Sequence, residues 1–215
     1  MKKLIIFLIL GVILFSCIST TKITGSWVNT KRSTQSYGNI FLVALTHNMI
    51  AKSTVETDMA TNLKKYGVNT VKSIDEFTPT LLSDSIDRIA LMTKVKQKNM
   101  DGVLMISLIK KETDSRYVSG AAVFRPGYYY GNIRDYYNYW YPCVYSPGYY
   151  ITNEIYYMEA NLYDANNQEL VWSAQSQTYN PIGLTTFSKH FTFKMVEALS
   201  NAGVLKLPAT ISRQK

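Results

Sequence analysis

The sequence predicts an α/β domain: a mixed sheet of about five strands with three helices packed on it, and a Tyr-rich insertion before an antiparallel hairpin. Three observations lead to this fold class. Continuous apolar runs alternate with amphipathic helical stretches in the first half of the chain. A two-residue alternation of apolar and polar side chains follows in the second half. Between them, thirteen of the seventeen tyrosines fall in the single segment 117–157.

The first half reads strand, helix, strand, helix, strand. Residues 40–45 are a continuous apolar run, which is typical of a strand buried on both faces. Apolar residues at helical spacing then predict a helix ending near Gly67; Ser53 with Glu56 has capping-box spacing, although the helix could also begin near Met49. A short strand at 68–73, a helix over 82–95 and a buried strand at 103–109 follow. This order implies right-handed crossovers and parallel strands.

The second half ends in an antiparallel hairpin and a helix. Residues 156–163 alternate between apolar and polar side chains, Asn166 and Asn167 suit a turn, and residues 170–174 alternate on the return. An apolar stripe from Phe187 to Leu199 predicts the last helix. The sheet is therefore expected to change from parallel to antiparallel after the tyrosine-rich segment.

The amino terminus has the layout of a secretory signal. Two lysines precede about a dozen apolar residues, too few for the roughly 20 residues of a membrane-spanning helix. Residues 14–17, Leu-Phe-Ser-Cys, resemble the lipobox of bacterial lipoproteins. That resemblance implies removal of signal peptide 1–16 and attachment of lipid, including palmitate, to Cys17. An uncleaved anchor or an ordinary signal is the alternative.

Removal of the signal leaves 21 basic and 15 acidic residues, because Lys2 and Lys3 are lost, so the charge falls from +8 to +6. The basic residues form no cluster, which argues against nucleic acid as a partner. We expect a tether over 17–36, one domain over 37–205 with its insertion at 117–150, and a tail over 206–215. By the same resemblance, the absence of Asp after Cys17 implies the outer membrane, and the absence of an acidic residue before Glu56 argues against export to the cell surface and so for the periplasmic face.

The domain itself resembles uncharacterised periplasmic lipoprotein domains, a group similar in architecture to the amino-terminal domain of TolB and to the curli-secretion lipoprotein. The motifs that carry this resemblance are residues 100–104 (Met-Asp-Gly-Val-Leu), 162–165 (Leu-Tyr-Asp-Ala) and 169–172 (Glu-Leu-Val-Trp). It spans residues 39–203 and implies an α/β domain for binding or assembly in the cell envelope. It carries over no functional residue.

The sequence offers little evidence for catalysis, a metal or a cofactor, and none is expected. His47, His190 and Cys143 lack the spacing of metal ligands. His47 is a weak candidate for ligand binding, because it follows the first predicted strand at the end where open α/β sheets bind ligands. Two pairs of nearby carboxylates are more simply interpreted as solvated charges: Asp84 with Asp87, and Glu112 with Asp114.

The tyrosine-rich segment is the expected contact surface, because flat amphipathic rings suit protein contacts and stacking on sugars. A loop that only covers a sheet edge is the alternative. The sequence thus predicts a lipid-anchored, non-enzymatic module that binds an envelope protein or glycan; a glycan-acting hydrolase or transferase is the competing hypothesis. The possible contact residues are Tyr128, Tyr129, Tyr130, Arg134, Tyr136, Tyr137, Tyr139, Trp140, Tyr141, Tyr149 and Tyr150.

Overall fold

The computed structural model describes residues 21–30, 36–77, 88–118, 131–144 and 148–206. Cys17 therefore lies outside the described residues, as do 82–87 of the second predicted helix. The strands are β1 (Thr21–Val28), β2 (Asn39–Leu45), β3 (Asn69–Lys72), β4 (Gly102–Val118), β5 (Tyr149–Asp164) and β6 (Leu170–Tyr179). The helices are α1 (Met49–Lys65), α2 (Ser73–Glu76), α3 (Arg88–Gln97), α4 (Ile133–Val144) and α5 (Gly183–Asn201).

The sheet is mixed, as the sequence predicts. Its strand order is β1-β6-β5-β4-β2-β3, with β2 parallel to both β3 and β4, and β6 antiparallel to both β1 and β5. The predicted numbers of elements are wrong: the described residues form six strands rather than about five, and five helices rather than three. The additional elements are β1, the single turn α2, and α4.

Strand β1 lies within the stretch interpreted as a tether. It pairs with β6 from Thr21 opposite Thr178 to Val28 opposite Trp172, and a register shift accommodates one extra residue between Ile23 and Gly25. Of its eight residues only Thr21 is fully buried. In sequence the segment resembles a linker because an edge strand that buries so few residues can be largely polar. Its partner strand lies about 150 residues away, so no neighbouring residues indicate the pairing.

Residues of β2 face two separate cores. Leu42 packs with α1 and α5 in a cluster centred on Trp172 and Phe191. The next residue along the chain, Val43, packs on the opposite face in a smaller cluster with Val95 of α3. This alternation confirms that residues 40–44 of the first apolar run form a strand buried on both sides, and it explains why the run is continuous. Leu45, the last residue of the run, is 53% exposed.

Local sequence signals account for the ends of several elements. Helix α1 begins at Met49, the earlier of the two predicted starts, because the side chain of Asn48 accepts a hydrogen bond of 3.0 Å from the Ala51 N–H. The predicted hairpin is confirmed: Asp164 accepts hydrogen bonds from the amides of Asn166 and Asn167 at 2.8 and 3.1 Å in the turn between β5 and β6.

The chain divides into two compact units. The first comprises Met1–Lys111 and Ile155–Lys215, and the second is Glu112–Glu154. The second unit contains the final part of β4, helix α4 and the first part of β5. The predicted insertion 117–150 falls inside it.

Candidate functional site

The second unit is built on a two-stranded ribbon. The Ser115 and Thr152 hydroxyl oxygens are 3.2 Å apart, and the ring centroids of Tyr117 and Tyr150 are 5.1 Å apart. A step of two residues forward on β4, from Ser115 to Tyr117, corresponds to a step of two residues backward on β5, from Thr152 to Tyr150. The two segments are therefore antiparallel. The ring of Tyr117 also occupies the space that a Cβ at Gly148 would need. Only a glycine there lets the β5 segment approach this ring so closely.

Helix α4 was not predicted from the sequence, although its start carries a capping signal. The Asn132 side chain accepts a 2.9 Å hydrogen bond from the Asp135 N–H, and its amide donates to the Asp135 carboxylate at 2.6 Å. Asn132 is therefore an N-cap residue, and a second bond between its side chain and that of Asp135 supports the cap. The helix was missed because its sequence is rich in aromatic residues, has few aliphatic ones and contains Pro142.

The tyrosines of the second unit face solvent wherever their side chains are described. Their exposed fractions run from 44% for Tyr136 to 70% for Tyr150. The rings of Tyr137 and Tyr141, one helical turn apart, stack at 4.9 Å. The described, exposed members of the predicted set are Arg134, Tyr136, Tyr137, Tyr141, Tyr149 and Tyr150. Tyr128, Tyr129 and Tyr130, and the side chains of Tyr139 and Trp140, lie outside the described residues.

This arrangement presents aromatic faces to solvent in two places, on α4 and on the ribbon. Paired rings of this kind offer large flat contacts at a low cost in side-chain entropy, which suits protein partners and the apolar faces of sugars. The ribbon also includes Tyr117, which the sequence interpretation left out of the contact set although it is 54% exposed. Its position at the start of the tyrosine-rich segment is the signal that could have identified it.

His47 lies in the exposed loop between β2 and α1, at the carboxyl end of β2, where the sequence predicts it. Within the described ranges, no three His, Cys, Asp or Glu side chains come together as a metal ion would require. The described carboxylates Glu112 and Asp114 occupy alternate positions of β4, so both lie on the same side of the strand.

A buried ion pair lies close to this loop. Lys52 and Glu56 of α1 are 3.0 Å apart, with side chains 2% and 0% exposed. Lys52 donates to the Ala44 carbonyl at 2.8 Å, while Glu56 accepts from the Ala44 N–H at 2.9 Å. Glu56 further accepts from the Ser73 hydroxyl and the Ile74 N–H at the start of α2. The pair therefore ties α1 to the ends of two strands, at a position where open α/β sheets often bind ligands.

At the opposite end, where the parallel strands begin, two carboxylates accept hydrogen bonds from uncharged donors. One oxygen of Asp101 accepts hydrogen bonds from the backbone N–H groups of Gly38 and Asn39 at 3.0 and 2.9 Å, and from the Asn39 side chain at 3.2 Å. The buried Tyr37 hydroxyl donates to Asp164 at 2.9 Å. Asp101 and Asp164 belong to two of the motifs that carry the sequence resemblance, and here their role is structural.

Another carboxylate, that of Glu76, joins two helices. Glu76 of α2 forms ion pairs with Lys98 at 2.6 Å and Lys94 at 3.4 Å. The hydrogen bond from Lys98, helped by the one from Lys94, holds the pKa of Glu76 below its ordinary value against the opposing effect of burial. Glu76 lies 15% exposed, so solvent screens this site only in part.

An open groove of about 710 Å³ lies between β1 and the last turns of α5. Its lining mixes small polar side chains of β1, such as Ser26, with aliphatic carbon and one exposed ion pair, Lys194 with Glu197 at 2.9 Å. None of the predicted contact residues lines it. No helix in the described part of the chain is long and apolar enough to cross a membrane.

Comparison with known proteins gives structural similarities only. No protein-family model matches the sequence, and no curated protein matches it. The PelC dodecamer from Paraburkholderia phytofirmans aligns over 87% of this chain and 99% of its own, with 14% identity and a TM-score of 0.45. Lipoprotein GNA1162 from Neisseria meningitidis aligns over 76% of this chain and 99% of its own, with 13% identity and a TM-score of 0.42.

A PDZ domain protein from Parabacteroides distasonis aligns over 83% of this chain and 36% of its own, with 9% identity and a TM-score of 0.34. With TM-scores below 0.5, these similarities establish neither a shared fold nor a shared function. The resemblance to periplasmic lipoprotein domains stays a prediction from the sequence motifs.

Proposed function

We propose that this protein is a lipid-anchored module of the bacterial cell envelope that binds a protein or glycan partner without catalysing a reaction. The observation that carries the proposal is the exposed aromatic surface of the second unit, on α4 and on the ribbon. Six described tyrosines there are 44–70% exposed, and two pairs of rings are already in contact. Rings held together before binding lose little entropy when a partner docks.

The anchoring part of the proposal rests on the lipobox resemblance at Cys17. Several acyl chains on one cysteine would hold the protein on a membrane without a spanning helix. We propose the periplasmic face of the outer membrane as its location. Replacement of Cys17 by Ala should release the protein into the soluble fraction and abolish its labelling by radioactive palmitate; lipid labelling of that variant would contradict the assignment.

A photo-crosslinking amino acid at Tyr137 tests the contact surface. We expect ultraviolet irradiation of living cells to join this position to an envelope protein or to peptidoglycan. The matched control is the same amino acid at Phe193, an aromatic residue of α5 that is 49% exposed. Equal crosslinking patterns at the two positions, or none at Tyr137, would contradict a contact surface in the second unit.

The competing hypothesis is a hydrolase or transferase that acts on envelope glycans. Incubation of the purified protein with peptidoglycan, followed by analysis of released fragments, separates the two. We expect no turnover. Fragment release that disappears when a single carboxylate such as Glu112 is changed to Gln would favour the enzyme over the binding module.

A further inference from the structure

The sheet edge formed by β1 is open in the described part of the chain. Within the described ranges β1 pairs with β6 alone, and it is the outermost strand in the order of the sheet. Strand β6 separates it from β5, which continues into the second unit. Five of the eight residues of β1 are exposed, and a Cβ added at Gly25 would meet no atom within 4 Å. The backbone N–H and C=O groups of such an edge suit an extended chain as a partner.

The register shift in β1 places Lys22 and Trp27 on the same face of the sheet. They pair with Gln177 and Ser173 of β6, and alternate residues of a strand share a face. In a regular strand, residues an odd number of positions apart point to opposite faces. The extra residue in β1 removes this difference. Both side chains therefore lie on the face away from α5, since Trp172, the neighbour of Ser173, is packed on the other face.

The same symmetry lets β1 pair with a second copy of itself. Residues directly opposite each other in an antiparallel pair share a face of the sheet. When two antiparallel copies are centred on residues 24–25, Lys22 comes opposite Trp27 of the second copy, on the face away from α5. Ile23 comes opposite Ser26, on the face toward α5, where both line the groove beside that helix. A regular strand could not pair in this register, because each residue would lie opposite one that points to the other face.

The facing side chains are chemically complementary. Trp27 is 50% exposed, and Lys22 is exposed as well. A tryptophan is highly buried on average in folded proteins, so this exposure favours a surface that another chain covers. A lysine ammonium over a Trp ring is attracted by the electron-rich face of that ring. Two-fold symmetry forms this contact twice.

Helix α5 leaves room for the second copy. It contacts both β1 and β6, so its axis lies above these two strands. A two-fold axis midway between two β1 strands is about 5 Å from the boundary of β1 and β6, given a strand spacing of about 4.8 Å. The two α5 helices are then about 10 Å apart, an ordinary distance for packed helices. Ala198 and Ala202, which line the groove, permit this approach because their side chains are small.

We propose that this protein forms a two-fold symmetric dimer in which the β1 strands of two copies pair antiparallel and the sheet continues from one copy into the other. Lys22 stacks on Trp27 of the second copy, and the two α5 helices pack on the same face of the joined sheet. Closed two-fold symmetry is the commonest form of a homo-oligomer, and the pairing covers an edge that would otherwise bind other chains. The inference rests neither on lipid at Cys17 nor on the contact surface of the second unit.

Disulfide crosslinking tests the register. The full-length chain carries Cys17→Ala and Cys143→Ser, so that no native thiol remains, and either Ile23→Cys or Ser26→Cys. In the proposed dimer these two positions lie opposite each other with Cα atoms about 5 Å apart, whereas like positions of the two copies are about 10 Å apart, too far for a disulfide. Oxidation of the two variants expressed together should give at least tenfold more covalent dimer than oxidation of either variant alone.

Sedimentation analysis in detergent measures the oligomeric state itself. We expect the wild type to sediment as a dimer, and Trp27→Ala to raise the Kd of the dimer at least tenfold without a change in the circular dichroism spectrum. The matched control is Tyr179→Ala, because Tyr179 is also 50% exposed but lies on β6, one strand away from the edge. This control should leave the Kd unchanged.

Two kinds of result would overturn the proposal. A wild-type monomer at every concentration tested would remove the dimer. A dimer that shows no excess of crosslinking in the co-expressed pair, or that Trp27→Ala and Tyr179→Ala weaken equally, would place the interface on a surface other than β1. Neither result affects the proposed lipid anchor or the aromatic surface of the second unit.

Discussion

The two ends of the sheet in the first unit differ in how their side chains are used. At the amino end of the parallel strands, Asp101 and Asp164 accept hydrogen bonds from nearby amides and from Tyr37. At the carboxyl end of β2, Glu56 and Lys52 are buried, yet Leu45 at the end of the strand and Ile50 in the first turn of α1 are strongly exposed. The fold accounts for the sequence motifs at the amino end, whereas the exposed aliphatic residues at the carboxyl end of β2 contribute little to its core.

The carboxylates at the two ends, Asp101 and Glu56, are expected to differ in how much stability is lost when each is removed. Each accepts hydrogen bonds from the backbone of β2 or of the residue just before it: Asp101 at Gly38 and Asn39, and Glu56 at Ala44. Glu56 is fully buried beside a buried cation, whereas Asp101 is only partly buried. Removal of the buried carboxylate should therefore cost more, because it leaves a charge without its partner in the core.

The largest effect is expected for Glu56→Ala. The change leaves the Lys52 ammonium buried without a counter-charge, and it removes the acceptor of the Ala44 and Ile74 amides. Loss of one partner of a buried pair typically costs about 3–5 kcal/mol in the free energy of unfolding. Urea denaturation followed by circular dichroism measures it.

The matched control is Glu197→Ala, which breaks the exposed pair with Lys194, whose side chains are 43% and 42% exposed. Exposed pairs contribute about 0.2–1 kcal/mol. If the two variants lost equal stability, the buried pair would not be what joins α1 to the ends of β2 and β3.

An intermediate effect is expected for Asp101→Ala at the amino end. The variant loses three hydrogen bonds to one carboxylate oxygen. We expect a loss of about 2 kcal/mol, as is usual for hydrogen bonds to charged groups. Hydrogen exchange at the Gly38 and Asn39 amides should accelerate in this variant but not in Glu197→Ala. Unchanged exchange at both amides would show that Asp101 does not close this end.

The smallest effect is a pH dependence at Glu76. Its folded pKa is lowered by Lys98 and Lys94, so its contribution to stability is fully present above the ordinary pKa of a glutamate, about 4.3, and is lost as the pH falls through the lowered folded value. Comparison of wild type with Glu76→Gln should show stability curves that differ at neutral pH and converge in acid. Parallel curves from pH 7 to pH 3 would contradict the ion pairs.

The sequence predicted the elements whose signals are local. Residues 40–44 and 103–106 were recognised as parts of buried strands because both faces of such a strand must be apolar, and the turn at Asn166 and Asn167 was recognised from its residue types. The predicted buried strand 103–109 is wrong at its end, because Leu108 and Ile109 are 49% and 51% exposed and β4 continues to Val118. Helix α4 was missed because most of its apolar residues are aromatic and form no aliphatic stripe, although Asn132 and Asp135 mark its start. The set of exposed tyrosines could be predicted as a group, but their pairing into stacked rings could not.

Sequence alone determined the parallel-then-antiparallel order of the fold, the lipobox resemblance at Cys17, and the tyrosine-rich segment, because each depends on neighbouring residues. Only the tertiary structure decided that Thr21–Val28 form a strand. Five of these eight residues favour strands, but an edge strand forms only with a partner, and this partner is the distant segment Trp172–Thr178. That pairing places Thr21–Val28, which lie inside the expected tether 17–36, in the sheet. Strand register likewise places Leu45 beside Ser107, 62 residues away in sequence, which no local pattern could show.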